Sequence, residues 1–343
     1  MIEIKKQFAL KEHNTFGISA FAKAYCSITS LLQLSEALSY YHHQEVFILG
    51  GGSNMLLLND IERPVLHINL KGIEETSLDN GNIILKVMSG ENWHDLVMYC
   101  VEKKYAGIEN LALIPGNTGT APIQNIGAYG VELKDVFHSC EVMDVSDRQV
   151  ITLTKDQCKF GYRDSIFKNE ALGKYVITSV TLQLIDLNHN NDYKLKTNYG
   201  SIATEMENLP GNDSIEKVAQ AVINIRTSKL PDPKIIGNSG SFFKNPVIDT
   251  DLYHKLLEEF PEMPSYSINE KLVKIPAGWL IDRSGFKGKR YGDAGVHERQ
   301  ALVLVNHGNA TGAEILAVAR KIQKVVQEKF QIDIETEVNL IEI

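Results

Sequence analysis

Apolar residues recur at helical spacing in several stretches of the chain, and each stretch opens on a residue able to cap a helix. Ser30 precedes Leu31, Leu34, Ala37 and Leu38, and Asn92 precedes Trp93, Leu96, Val97, Cys100 and Val101. Asp213 with Glu216 forms a capping box ahead of Val218, Ala221, Val222 and Ile225, a helix that Pro231 and Pro233 should end. Thr250 should start a short helix, and Thr311 with Glu314 boxes the start of another carrying Ile315, Val318, Ile322, Val325 and Val326. Between them the pattern shortens to strands at 46–49, 65–70, 83–88 and 180–184. Two alternating runs from 140 to 153 flank Ser146-Asp147-Arg148-Gln149 and predict a hairpin, and 301–306 (ALVLVN) reads as a buried strand. The chain closes on alternation that puts Ile332, Ile334, Val338 and Leu340 on one face and lapses at 341–343. The stretch 188–213, holding Asn188, Asn190, Asn191, Asn198 and Asn212, has no period and predicts an inserted loop. The opening half is thus α+β without a βαβ repeat, and a domain boundary is expected near 226.

Two runs break this pattern. At 46–54 (VFILGGGSN) an apolar strand ending in Leu49 runs into Gly50, Gly51 and Gly52, followed by Ser53 and Asn54. At 114–130 (IPGNTGTAPIQNIGAYG) Gly116, Gly119, Gly127 and Gly130 alternate with small residues and almost no charge. A segment without bulky Cβ substituents brings its amides close to a ligand, and a strand feeding a glycine turn presents N–H groups to a pyrophosphate. Neither run has the GxxxxGK[ST] or GxGxxG spacing. Together they point to a phosphate-bearing cofactor held by backbone amides in a less common fold.

Composition narrows the class. The 343 residues exceed what one core usually supports. With 35 Lys+Arg against 43 Asp+Glu the formal charge is −8, which disfavours a nucleic-acid partner. No apolar run approaches bilayer length, and the opening segment has no signal-peptide core, so no membrane association and a cytoplasmic protein are expected. Cys26, Cys100, Cys140 and Cys158 form no CxxC and read as buried, reduced thiols; the histidines offer no metal site.

Single residues carry less. Ser241, among glycines, could donate a proton or join an oxyanion site, although taken alone it reads as a turn serine and no base or GxSxG elbow lies nearby. Arg163 could clamp a carboxylate with its planar fork, or pair with Asp164. Glu337 alternates with Asp333, Glu335 and Asn339 as a solvated face would. Lysines and arginines enrich the last third, which would draw an anionic substrate or simply dress a surface.

The segments 114–130, 161–168, 226–233 and 237–246, in this order, resemble the UDP-N-acetylenolpyruvoylglucosamine reductase family, flavoenzymes of bacterial cell-wall precursor synthesis, and specifically its subgroup with a tyrosine lid loop. Residues 14–17, 49–54, 278–282 and 297–304 extend the likeness over essentially the whole chain. The resemblance implies an α+β architecture. Residues 1–187 would be an FAD-binding domain of the p-cresol methylhydroxylase (PCMH) type in two lobes, and 188–225 a lid-loop insertion with a connecting helix. Residues 226–343 would be a substrate-binding domain whose last strand returns to the first lobe.

It implies non-covalent FAD on Leu49, Gly50, Gly51, Gly52, Ser53 and Asn54, and on Ile114, Pro115, Gly116, Gly119, Thr120 and Ala121. Gln124, Asn125, Gly127, Ala128 and Tyr129 would complete that site. NADPH would be the co-substrate, UDP-N-acetylglucosamine enolpyruvate the substrate, and the enzyme a monomer. In the same likeness Ser241 would protonate the substrate carbon after hydride arrives, while Arg163 and Glu337 would stabilise the enol-like intermediate at its carboxylate. A developing dianion wants a guanidinium, and a protonated glutamic acid could donate a hydrogen bond to it. Tyr162, Tyr199, Lys229, Asn245 and Gln300 would bind substrate. Thr336 stands where the family often has proline, and Asn198 and Ser201 where threonine and aspartate are common. The rival readings are another flavin oxidase or dehydrogenase of this fold, which would need a base, and a flavin-binding module without turnover.

Overall fold

The computed structural model describes residues 2–190 and 192–342. Its contacts divide the chain into two units, the first formed by 1–8, 22–51 and 62–226, the second by 9–21, 52–61 and 227–343.

Among the described residues the first unit holds a two-stranded pair, Gly127–Ala128 with Val131–Glu132, and two larger sheets. In one, strands Lys5–Ala9, Phe21–Ile28, Ile61–Ile68 and Phe47–Leu49 lie side by side in that order, the last two parallel. Helix Leu31–Tyr40 starts where the Ser30 hydroxyl accepts the Gln33 N–H, and it buries Leu34, Ala37 and Leu38 against Cys26, Ile28 and Leu66. In the other sheet, Val150–Thr154, Phe137–Asp144, Tyr175–Asp186, Asn82–Met88 and Ile73–Ser77 follow one another, all antiparallel, with Tyr105–Ala106 added to the long strand. The predicted hairpin is there, Cys140 opposite Leu153, and its turn closes with the Asp144 N–H on the Gln149 carbonyl. Helix Trp93–Glu102, capped by Asn92, packs Trp93, Leu96, Val97 and Cys100 onto this sheet. Each such side chain taken out of water contributes about 1.5–3 kcal/mol.

Helix Ile215–Lys229 covers the same core through Val218, Ala221, Val222 and Ile225. Its cap is Ser214, whose hydroxyl accepts the Lys217 N–H, not the expected Asp213, which pairs with the Lys217 ammonium at 3.3 Å instead. Both residues are good caps; the helix takes the one whose oxygen reaches its first free amides. Within 188–213 a short helix, Ile202–Glu207, interrupts the expected loop, because Ile202 and Met206 are buried one turn apart. Asn191 of that stretch lies outside the described residues.

The second unit is built from short strands and the α-helices Thr250–Glu259, Ala277–Arg283 and Gly312–Phe330. Strands Val247–Asp249, Leu272–Lys274 and Tyr266–Ser267 form one antiparallel sheet, and Arg290–Tyr291, Ala294–Val296 and Leu304–Asn306 another. Thr311 and Glu314 cap the long helix reciprocally as expected, and Ile315, Val318, Ile322 and Val326 are buried while Val325 is only half so. At its end the Phe330 ring packs at a tilt against those of Phe260 and Trp279. The expected 301–306 strand is regular only from Leu304, since Ala301 to Val303 turn to meet Ser241.

Ile332, Ile334 and Val338 are buried on alternate positions, yet regular pairing is confined to Asn339–Ile341, which lies parallel to Met55–Leu57. Leu340 is therefore 38% exposed, a departure from the expected face. Ile343 lies outside the described residues. All four cysteines are buried and free. Among the described residues no helix is long and apolar enough to cross a membrane, and no group of three His, Cys, Asp or Glu could hold a metal ion.

Candidate functional site

In the first unit the two glycine runs, some sixty residues apart in sequence, lie against each other. A Cβ on Gly50 would stand 2.4 Å from Thr120 Cγ2, and one on Gly51 would stand 2.8 Å from Gly116 Cα and 2.9 Å from Asn117 Oδ1. Neither site has room for a side chain. The 116–120 segment is in turn strapped to the start of helix Trp93–Glu102. Trp93 donates its N–H to Gly116, while Thr118 and Gly119 donate theirs to Glu91 and Ser89, at 3.0, 2.8 and 2.9 Å. A Cβ on Gly119 would sit 2.3 Å from Ser89 Cβ. Leu49 is buried at the end of its strand, Ala121 is buried, Ile114 is half-buried, and Pro115 is exposed. This is a cradle of closely packed main chain, and its lack of side chains suits a diphosphate-bearing cofactor bound by amides.

Farther along the same stretch the backbone is left-handed at non-glycine residues: Asn125 has φ 44°, Tyr129 φ 51°, and Arg163 beside them φ 54°. Asn125 is fully buried. Its amide donates to the Gly161 carbonyl at 2.9 Å and accepts the Lys134 N–H at 3.0 Å, so it fastens the glycine stretch to the segment carrying Arg163. Arg163 Nη1 lies 3.4 Å from where a Gly127 Cβ would be, and its guanidinium lies over the Tyr162 ring at 5.8 Å. Gln124 and Ala128 are half-buried in the same stretch. Tyr199 stands edge-on to Tyr129, ring centroids 6.4 Å apart, and crowds Gly130. Tyr162 and Tyr199 are both exposed, at 48% and 56%.

Sequence reasoning gave no role to two residues of this group. Arg226 couples electrostatically to Tyr129, and burial and then the Arg163 charge lower its pKa. Its Nε is sealed from solvent with no hydrogen-bond partner among the described residues. His94 accepts the Leu113 N–H on Nδ1 at 3.0 Å, just where the glycine stretch begins, and burial holds its pKa below the usual histidine value. A single arginine at a helix end and a histidine on an amphipathic helix carry no local signal that would have marked them.

In the second unit Gly52, with φ 63°, faces the carbonyl of His13, which a Cβ would meet at 2.1 Å. Thr15 is hydrogen-bonded to Gly52 through its N–H at 3.0 Å, and its hydroxyl reaches the Ser53 carbonyl at 3.4 Å. The 241–244 segment runs between two others. Phe242 donates its N–H to Leu302, and its carbonyl accepts the Glu337 N–H, both at 2.8 Å, while Ser241 bridges Val303 and Phe243 bridges Thr336. Ser241 and Glu337 therefore sit on neighbouring extended segments, and both are half-buried. Glu337 departs from the exposed Asp333 and Glu335 with which it alternates. The Asn54 amide donates to the Glu337 carbonyl at 3.3 Å. Asn245 and Gln300 meet at one helix start: Asn245 Oδ1 accepts the Ala277 N–H at 2.9 Å, and Gln300 Oε1 lies 3.2 Å from the Cβ position of Gly278. Lys229 is exposed at the end of helix Ile215–Lys229.

Comparison with known proteins agrees with this layout. Residues 22–154 match a family described as an FAD binding domain, and 232–341 match the C-terminal domain of UDP-N-acetylenolpyruvoylglucosamine reductase. The chain is 50% identical over 341 residues to the UDP-N-acetylenolpyruvoylglucosamine reductase of Flavobacterium johnsoniae, covering 99% of this chain and 100% of that protein. It is 45% identical to the same-named protein of Amoebophilus asiaticus, with 99% and 100% covered. Among solved structures, the UDP-N-acetylenolpyruvylglucosamine reductase of Thermus caldophilus superposes with a TM-score of 0.66 at 24% identity, over 100% of this chain and 99% of that one, which speaks for the fold.

Proposed function

Because the chain belongs to the UDP-N-acetylenolpyruvoylglucosamine reductase family, FAD-dependent oxidoreductases with an α+β fold of PCMH-type FAD domain and family-specific C-terminal domain, we propose that it reduces UDP-N-acetylglucosamine enolpyruvate to UDP-N-acetylmuramate with NADPH. The observation that carries this reading is the convergence of Gly50 and Gly51 on Gly116 and Thr120, a main-chain cradle with no space for a Cβ. The step would belong to cytoplasmic peptidoglycan precursor synthesis, and so to cell-wall growth and division.

Bound FAD would supply the hydride for the vinyl CH2 carbon of the substrate, at the expense of NADPH. The chain's own residues would do the rest. Ser241 would give its hydroxyl proton to the neighbouring carbon, completing addition of hydride and proton across the double bond. Arg163 and Glu337 would hold the substrate carboxylate as charge builds on it, and a preorganised guanidinium costs no reorganisation at that moment. Lys229 would offer a point charge to the diphosphate, and Asn245, Gln300, Tyr162 and Tyr199 would orient the sugar nucleotide. Support for these roles comes from the family's motif positions and from the half-burial of Ser241 and Glu337 on adjoining segments.

The test is direct. Purified protein should be yellow, with an FAD spectrum, and should consume NADPH only when the enolpyruvyl sugar nucleotide is added. NADPH oxidation indifferent to the sugar nucleotide would point to another flavin dehydrogenase, and a colourless protein that takes up no FAD would end the enzyme reading altogether.

A further inference from the structure

The segment ahead of Tyr199 is neither a free loop nor a regular strand. From 192 to 197 exposure alternates: Tyr193, Leu195 and Thr197 are half-buried, and Asp192, Lys194 and Lys196 are exposed. One side of an extended strap is thus laid on the first unit, with Leu195 packed on its main core. Two polar bonds fix it. The Tyr193 hydroxyl donates to Glu109 Oε1 at 2.5 Å, and Glu109 is 1% exposed, its other oxygen accepting the Gly107 N–H at 2.7 Å. Next to it, Asn110 is fully buried and uses Nδ2 twice, donating to the Lys196 carbonyl at 2.8 Å and to the Tyr129 carbonyl at 3.1 Å. One amide therefore ties the strap to the end of the glycine stretch. Beyond Thr197 the docking stops: residues 198–201 are all exposed, Gly200 has φ 62° and nothing within 4 Å of its Cβ position, and the chain is buried again at Ile202.

We propose that Glu109, Asn110 and Tyr193 are positioning residues for Tyr199, which they hold at the rim of the glycine stretch by confining its freedom to the arch 198–201. This rests on the substrate-binding role given to Tyr199 above. A buried carboxylate does not let go of a donor cheaply, so the strap stays down while the arch moves. Burial and then the Glu109 charge push the Tyr193 phenol upward, which keeps it a donor at every working pH. The segment that orders around substrate is then four residues long rather than the whole insertion, and little chain entropy is spent in closing it.

Tyr193→Phe removes one hydroxyl and is the mildest test; Asn110→Ala removes the other tie and serves if the first variant misfolds. In the FAD-loaded enzyme, tryptic cleavage after Lys194 and Lys196 should speed up by about tenfold, the loss of one net hydrogen bond read as a larger open fraction. KM for the enolpyruvyl sugar nucleotide should rise by a similar factor, while the rate at which NADPH bleaches the flavin stays at its wild-type value. Cleavage at the wild-type rate in both folded variants would overturn the tether. Faster cleavage with KM unmoved would overturn the positioning role. A wild-type protein with no activity on the sugar nucleotide would remove the reductase reading and the role of Tyr199 with it, and the cleavage comparison would still decide whether the strap is tied down.

Discussion

Gly50→Ala puts the convergence of the two glycine runs to a quantitative test. The added methyl would lie 2.4 Å from Thr120 Cγ2, about 1 Å inside ordinary van der Waals contact, and the next atom is 3.9 Å away. The clash is thus with one methyl group. Thr120 cannot turn it aside freely, because its hydroxyl is held on the Asn117 carbonyl at 2.7 Å and a β-branched χ1 has few alternatives. Overpacking of this kind costs roughly 1–3 kcal/mol, or about 5- to 150-fold in an equilibrium constant. FAD titration by flavin fluorescence and urea unfolding of the apoprotein would show how it divides between affinity and stability. Thr120→Ser deletes the offending methyl and keeps the hydroxyl, so the double variant should return to within about 0.5 kcal/mol of wild type, a coupling nearly equal to the original loss. Gly51→Ala should not be rescued by the same change, since its neighbours are Gly116 Cα and Asn117 Oδ1. If Gly50→Ala binds FAD and unfolds as wild type does, or if Thr120→Ser leaves its defect in place, the two runs do not pack as described and the cradle argument fails.

Other outcomes follow from the same geometry. Ser241→Ala should leave flavin reduction by NADPH near normal and slow reoxidation by the sugar nucleotide by roughly 10²–10⁴-fold; equal slowing of both halves in stopped flow would mean a binding or folding defect instead. Arg163→Gly suits the backbone, φ being 54°, so urea unfolding should change by no more than about 1 kcal/mol while turnover collapses; retained turnover would remove Arg163 from the site. His94 accepts a hydrogen bond on Nδ1, and burial, helped by Arg226, depresses its pKa although Asp95 opposes the shift. The neutral ring is the bound form, so its contribution is complete above the usual histidine pKa of about 6.5 and is lost as pH falls through the lower folded value. Stability of the apoprotein in urea should fall over that acid window, and His94→Asn, whose amide oxygen can still accept, should flatten the profile; an unchanged profile would clear His94 of the effect.

What the sequence made legible was local. Helix starts at Ser30, Asn92 and Thr311 were readable because a cap and the apolar spacing behind it lie within one or two turns, where the physics is decided by neighbours in the chain. Where two adjacent residues cap equally well, as Asp213 and Ser214 do, only the tertiary register chooses. The closing stretch misled for a related reason. Alternating burial of Ile332, Ile334 and Val338 looks the same whether the segment pairs along its length or threads between others with a single bridge at Thr336, and Leu340 is governed by its partner Met55–Leu57, far away in sequence.

The glycine runs were visible in the sequence, but their packing on each other was not, and the non-glycine residues that share their left-handed backbone were invisible altogether. Leu113, Asn125, Tyr129 and Arg163 each hold a positive φ that glycine would adopt without cost, at about 1–2 kcal/mol apiece. Keeping a side chain at such a position requires that the side chain return more than the strain takes. Asn125 shows how, since its amide fastens Gly161 and Lys134 and so fixes the turn that presents Arg163. Arg163 holds its guanidinium beside Gly127 from such a left-handed residue, and its charge, after burial, makes the Arg226 guanidinium harder to keep protonated. An anionic group bound beside them would offset that like-charge repulsion, and the acid end of the proposed substrate is a group of that kind.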